Sequence, residues 1–152
     1  MDPIGLHLKG EVDLNRILES LKQHPNYRQA GAVASFIGTV REEPIRGGTG
    51  NVTHLEYEAY SDIAVKRLEE IRLSMLKRPG IIEVSIHHVI DKLDVGEPSL
   101  LVAVLGKHRQ EVFPTLAETV EQVKKEVPIW KKEFTEKSAY WVSTSKEVNH
   151  PQ

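Results

Sequence analysis

Four lysines bracket a Pro-Ile-Trp segment late in the chain, in the stretch KKEVPIWKKE from Lys124 to Glu133. Ammonium groups so placed could hold an anion, move a proton or, as free amine, attack an electrophile. They are not equivalent. On a wheel of about 100° per residue, Val112, Leu116, Val120, Val123 and Val127 fall in one apolar stripe. Lys124 lies at the margin of that stripe, beside Phe113 and Ala117, with its stem against apolar surface. Lys125 points away with Glu118 and Glu121 and is a solvated surface lysine. Pro128 cannot donate to the Lys124 carbonyl and drives Val127 out of helical geometry. The helix therefore ends there and leaves carbonyls at its negative end, where cations are favoured. Ile129 and Trp130 then want burial, which fixes where Lys131 starts. The expected product is two ammonium groups, Lys124 and Lys131, held near one another by a rigid Pro-Ile-Trp wedge. On spacing alone a plainer reading stays open, in which the lysines only complement a helix end and solvate a surface.

Other cations could join them. Lys107, His108 and Arg109 follow the apolar strand SLLVAVLG and precede a helix, a junction where backbone amides face outward toward anions. Arg grips phosphate or carboxylate with two parallel hydrogen bonds, and His donates or carries a proton. A polar helix start explains the same residues equally well. Arg41 ends the strand GAVASFIGTV and is weak evidence by itself. His87 and His88 alternate along a strand with no further ligand at a recognisable spacing, so they are read as structural and no metal is expected. GGTG lacks the Lys-Ser/Thr ending of a phosphate loop, and neither a Gly-x-Ser-x-Gly elbow nor an HExxH pair occurs. What survives is a cationic set: Arg41, His108, Arg109, Lys124, Lys131 and Lys132. If they converge, they suit an anionic substrate. Crowding would also favour the free amine of a lysine, while a bound phosphate would oppose that.

The elements that must position these residues follow from periodicity. Ile4 to Leu8 reads as a short strand. Asp13 caps a helix with Leu14, Ile17, Leu18 and Leu21 at helical spacing, stopped by His24-Pro25-Asn26. GAVASFIGTV reads as a largely buried strand, REEPIRGGTGN as a loop, and VTHLEYEAY as a strand with one face covered. Ser61 is placed to cap a second helix with the stripe Ala64, Leu68, Ile71 and Met75, ended by KRPG. IIEVSIHHVI and SLLVAVLG are strands joined by the turn-like DKLDVGEP. Gln110 to Glu126 is the third helix and AYWVST a last strand. The order β-α-β-β-α-β-β-α-β points to an α+β domain with a mainly antiparallel sheet.

The 152 residues suit one domain, drawn at 1–146 with 147–152 as a loose tail. An apolar share of 39% and a charged share of 28% are those of a soluble globular protein, and no apolar run approaches the ~20 residues of a membrane span. The start MDPIGLHLKG has no secretion-signal pattern, so a cytoplasmic protein is expected. A net charge of -2 argues against sequence-blind nucleic-acid binding. With no cysteine, disulfides, thiolate metal sites, cysteine nucleophiles and persulfide carried on this chain are excluded.

Together, ASFIGTVRE, LEYEAY before a helix, GEPSLLVAVLGKHRQEVF, VKKEVPIWKKE and YWV resemble the large, catalytic subunit of molybdopterin synthase, in that family's order and over nearly the whole chain. The resemblance implies an α/β hammerhead fold with an additional small antiparallel β subdomain. It implies insertion of two sulfurs into cyclic pyranopterin monophosphate to form the dithiolene of molybdopterin, with no resident cofactor. The sulfur would arrive as a thiocarboxylate on the C-terminal Gly-Gly of a ubiquitin-like small subunit, within a heterotetramer built on a central homodimer of the large subunit. Lys124 and Lys131 match the family's active-site lysines. His108 and Arg109 match its substrate-contacting pair, and Thr39, Val40 and Arg41 the segment lining the pterin pocket. Lys132 and Glu133 continue the second lysine's segment, and Phe36 matches a nearby aromatic. Lys124 is the choice for acid/base or nucleophile duty, with Lys131, Arg109 and His108 orienting phosphate. The chain departs from the family's His-Arg-x-Gly at His88-Val89-Ile90-Asp91, and Phe113 is followed by Pro114, which a first helical turn tolerates. A different class stays open: a non-catalytic scaffold that binds a Gly-Gly tail. So does an α+β module binding a small phosphorylated ligand.

Overall fold

Asp13 opens the first helix as its sequence position requires, its carboxylate accepting from the Arg16 amide at 2.8 Å. The computed structural model describes residues 1–45, 50–136, 139–143 and 150–151. Three helices, α1 (Leu14–Lys22), α2 (Ser61–Leu76) and α3 (Arg109–Glu126), pack with nine strands among these residues. The strands are β1 (Ile4–His7), β2 (Ala32–Thr39), β3 (His54–Ala59), β4 (Ile81–Val89), β5 (Lys92–Asp94), β6 (Pro98–Gly106), β7 (Ile129–Phe134), β8 (Ala139–Ser143) and β9 (His150–Pro151).

The core is organised around β6, buried on both faces. Leu100, Val102 and Val104 face α2 and α3, where they meet Ala64, Leu68, Ile71 and Met75. Leu101, Ala103 and Leu105 face Ile17 and Leu21 of α1 and Leu55 and Leu93 of the second sheet. Burying each large aliphatic side chain here contributes about 1.5–3 kcal/mol. The first sheet runs β1-β4-β6-β2 and the second β5-β3-β7-β8-β9. β1 is parallel to β4, and the other pairings are antiparallel. No helix among the described residues is long and apolar enough to cross a membrane.

Several local expectations change. β2 is not largely buried. It pairs only with β6, so it forms an edge, and Val33 and Ile37 are each 41% exposed. Apolar composition signals β-propensity, but not which face is covered. Ser61 is the first helical residue rather than the cap; Tyr60 stands at the N-cap without a side-chain bond. DKLDVGEP contains a strand, β5. Pro114 lies in the second turn of α3, where it removes the bond to the Gln110 carbonyl on an exposed stretch that water can satisfy. Thr115 and Thr119 share the buried stripe, their hydroxyls donating to the carbonyls of Glu111 and Thr115 at 2.8 and 2.7 Å.

The Pro-Ile-Trp segment is the largest change. It starts β7, and of the two residues expected to be buried Ile129 is, whereas Trp130 is 38% exposed. Strand alternation sends Ile129, Lys131 and Glu133 to one face and Trp130, Lys132 and Phe134 to the other. Residues 46–49 of the expected loop, and most of the expected tail, lie outside the described residues; His150 and Pro151 pair with β8.

Candidate active site

Lys124 and Lys131 are brought together by the end of one element and the start of the next. Val127 turns extended (φ −83°, ψ 126°) while its amide still reaches the Val123 carbonyl, and β7 begins two residues later. β7 pairs with β3 so that Lys131 stands opposite Tyr57 and Glu133 opposite Leu55. Directly opposed side chains on one face are separated by only ~5 Å at Cβ, so Tyr57, Lys131 and Glu133 form one cluster.

That cluster and Lys124 line a cavity of about 540 Å³. The end of β2 closes another side: Phe36 and Thr39 line the cavity, and Arg41 follows at its mouth. The Lys124 ammonium lies 5.9 Å from the centroid of the Phe36 ring, the range of a cation–π contact. The Arg41 guanidinium is held by Glu43 through two hydrogen bonds, of 2.6 and 3.1 Å, at a largely exposed position. Glu133 is only 6% exposed.

Beneath the lysines lie groups that sequence reasoning did not place here. His88, taken for a structural histidine, lines the cavity. Its ring meets Tyr57 edge-on at 5.0 Å, and its Nδ1 lies 3.0 Å from the Val89 carbonyl. Burial pushes this imidazole down to about 4, the Val89 carbonyl opposes that, and the Lys124 ammonium adds to it. Tyr57 is pushed up by burial, opposed by Ser99 and reinforced by the Glu133 carboxylate, so its phenol is neutral. The available signal was the period of two, which sets His88 on the same face as Val84 and Ile86. That face becomes cavity floor only through its pairing with Leu100. Among the described residues no three His, Asp or Glu side chains converge as metal ligands.

Four expected site residues stand elsewhere. Val40 is buried between Thr39 and Arg41, its backbone pinned by hydrogen bonds with Glu97 (2.9 Å) and Gly96 (2.7 Å). Lys132 occupies the opposite face of β7, 5.0 Å from the Trp141 ring and 5.4 Å from Phe134. His108 and Arg109 are exposed at the start of α3, where His108 Nδ1 contacts Glu111 at 2.7 Å. Fifteen helical residues separate Arg109 from Lys124, about 22 Å at 1.5 Å per residue. Within one chain this pair cannot reach the cavity.

The MoaE protein family model matches residues 9–126. The chain belongs to the MoaE family. A Pyrococcus abyssi molybdopterin synthase catalytic subunit is 41% identical over 118 residues, 78% of each chain. The crystal structure of molybdopterin synthase from Staphylococcus aureus superposes with a TM-score of 0.81 at 33% identity, covering 93% of this chain and 97% of that one. A complex of subunits 1 and 2 of molybdopterin-converting factor from Helicobacter pylori contains a chain with the same fold, at a TM-score of 0.72 and 20% identity over 97% of this chain and 90% of that one. The MoaE fold thus accounts for both sheets and for the cavity between α3, β2 and β7. Among the expected site residues it gathers Lys124, Lys131, Arg41, Thr39, Phe36 and Glu133.

Proposed function

We propose that this chain is the catalytic subunit of a molybdopterin synthase, inserting two sulfurs into cyclic pyranopterin monophosphate within molybdenum cofactor biosynthesis. The observation that carries this reading is the convergence of Lys124 and Lys131, from two different elements, on one cavity with Arg41 at its mouth. The cyclic phosphate, the incoming thiocarboxylate and the carboxylate left behind are all anions, and preorganised cations stabilise each of them. In each transfer the thiocarboxylate sulfur forms a bond to a pterin side-chain carbon and displaces an oxygen from it, as the phosphate oxygen of the opening ring at one carbon and as water at the other. Water then cleaves the acyl–sulfur bond, leaving the partner's tail as a carboxylate. Lys124, seated against Phe36, serves as acid/base or transient nucleophile. Lys131 holds the phosphate and stabilises charge as the ring opens.

Sulfur comes from a separate chain, which fits a catalytic subunit without cysteine. The donor in this reading is a ubiquitin-like small subunit with a Gly-Gly thiocarboxylate, in a heterotetramer acting in the cytoplasm; the two-subunit Helicobacter pylori complex supports a second chain as partner. His108 and Arg109 join the cavity from a second copy of this chain. The open edge of β2, with Val33 and Ile37 in solvent, is the surface on which that copy would pair.

The experiment is a reconstitution. The protein is mixed with thiocarboxylated small subunit and cyclic precursor, and molybdopterin is followed as its fluorescent oxidation product, with Lys124→Ala in parallel. Product from the wild type and little from the variant is expected. A wild type that binds the small subunit and makes none would turn the reading to a scaffold.

A further inference from the structure

The cavity holds two chemistries, and only one of them is used by anions. Lys124, Lys131 and Arg41 supply cations at its upper walls, whereas the floor beneath is built from His88, Tyr57 and Glu133. A phosphate or thiocarboxylate only accepts, so it cannot pair with the Glu133 carboxylate or with an imidazole lone pair. A heterocycle bearing N–H donors does.

His88 is the group whose state the geometry fixes. A carbonyl oxygen only accepts, so the Nδ1 lying 3.0 Å from the Val89 carbonyl carries the ring proton, and Nε2 is left with its lone pair. That lone pair is not sealed away. Among the described residues, the one buried side-chain nitrogen or oxygen without a partner is His54 Nε2, and the His88 ring lines the cavity. The ring cannot turn freely, because Tyr57 meets it edge-on at 5.0 Å and is itself set by its register opposite Lys131. Burial and the Lys124 charge keep the imidazole neutral at physiological pH, so the acceptor persists.

We propose that His88 is a specificity-determining residue of this site, its Nε2 accepting a hydrogen bond from a ring or amino N–H of the pterin. The inference rests on the synthase reading above and adds how the uncharged end of the substrate is recognised. Cations select the phosphate, which many metabolites carry. The floor selects the heterocycle, whose pyrimidine edge presents adjacent N–H donors. A substrate lacking them would leave a buried acceptor without a partner, and sites built to pair a polar group discriminate strongly on that ground.

The test compares His88→Leu, which removes the acceptor, with His88→Gln, whose amide oxygen restores one. Each is assayed in the reconstituted reaction, with small-subunit affinity measured separately. His88→Leu should raise KM for the cyclic precursor about tenfold, with kcat changed less than threefold and small-subunit affinity intact. His88→Gln should recover most of that KM. A measurement on the wild type guards against a variant that fails to fold: the ¹⁵N resonance of His88 Nε2 should start at the position of an unprotonated nitrogen and move upfield on adding the precursor. If product forms but neither KM nor the resonance moves, His88 is a packing residue and the proposal is overturned. If the wild type neither binds the precursor nor makes product, the synthase reading and this one fall together.

Discussion

At its first turn α3 carries His108 and Arg109 in solvent; at its last turn it carries Lys124 over a cavity that also receives Lys131. The two basic pairs have similar composition and sit at the two ends of one helix, yet their surroundings differ. At the first end, Gly80 (φ +78°) lets the Glu111 carboxylate lie against its backbone; a Cβ there would stand 1.8 Å from the carboxylate. His108 is then occupied by Glu111 at the surface. At the last end the helix stops against β7, Phe36 closes one wall, and buried His88 and half-buried Tyr57 form the floor. One end displays its cations, and the other aims them. A single chain therefore brings Lys124, Lys131 and Arg41 to one cavity and leaves His108 and Arg109 away from it.

The largest expected effect is at the aimed end. Lys124→Ala and Lys131→Ala should each lower kcat/KM for molybdopterin formation by about 10²-fold or more, with small-subunit binding retained. Rates and affinities measured on the same preparations check this, and a loss of tenfold or less would return the lysines to docking. The next effect concerns the displayed end. If His108 and Arg109 act across a dimer, inactive Arg109→Ala and inactive Lys131→Ala should complement one another when mixed and allowed to exchange subunits. Random exchange gives half heterodimers, each with one intact site of two, so about a quarter of wild-type activity should return. No recovery after demonstrated exchange would place Arg109 outside the site.

A third effect concerns the two buried histidines of β4, one on each face, and is read by pH. His87 is held near 4 mainly by burial, with His7 and the amino terminus adding to it, and His88 is held near 4 as described. Both lie below the ordinary imidazole value, so the unfolded chain binds more protons than the folded one. The stabilisation is complete above about pH 6.5 and is lost as the pH falls toward about 4, on the order of 3 kcal/mol for each ring. Urea melts at several pH values should show this slope, reduced in His87→Asn if that variant folds. A stability flat between pH 6.5 and 4 would mean that these rings are wetter than the structure places them.

Why the sequence disclosed some of this and not the rest is visible in particular residues. The helical stripe and the position of Lys124 at its margin are local properties of a 3.6-residue period, and they carried over to the structure. β7 was not legible: in IWKKEF two apolar residues precede three charged ones, which breaks the alternation that marks a strand. The size of Trp130 then suggested burial, although its face of the sheet looks outward. β2 misled in the same way, since edge and centre strands share a composition until the strand order is known. His88 needed the most distant information. Its burial follows from pairing with Leu100, and its role as acceptor follows from a backbone carbonyl, neither of which periodicity contains. The chemistry of His108 and Arg109 could be named from their types, but their distance from Lys124 is a matter of helix length.

The smallest expected effect belongs to Lys125, and it tests the comparison most strictly. Lys125 shares with Lys124 its charge, its helix turn and its place near the negative end of the α3 dipole. It differs by about 100° in direction: both side chains are exposed, but Lys124 lines the cavity and Lys125 does not. If proximity of positive charge to the cavity were enough, Lys125→Ala would resemble Lys124→Ala, attenuated by screening. If direction decides, Lys125→Ala should change molybdopterin formation less than twofold and stability by no more than about 0.5 kcal/mol. Running both variants at two salt concentrations distinguishes the cases. A diffuse field weakens as salt rises, so any Lys125 effect should fade with it. Lys124 contacts Phe36 and lines the cavity, so it acts on a bound substrate at short range, where salt screens less, and the loss caused by Lys124→Ala should fall less with salt than any Lys125 effect.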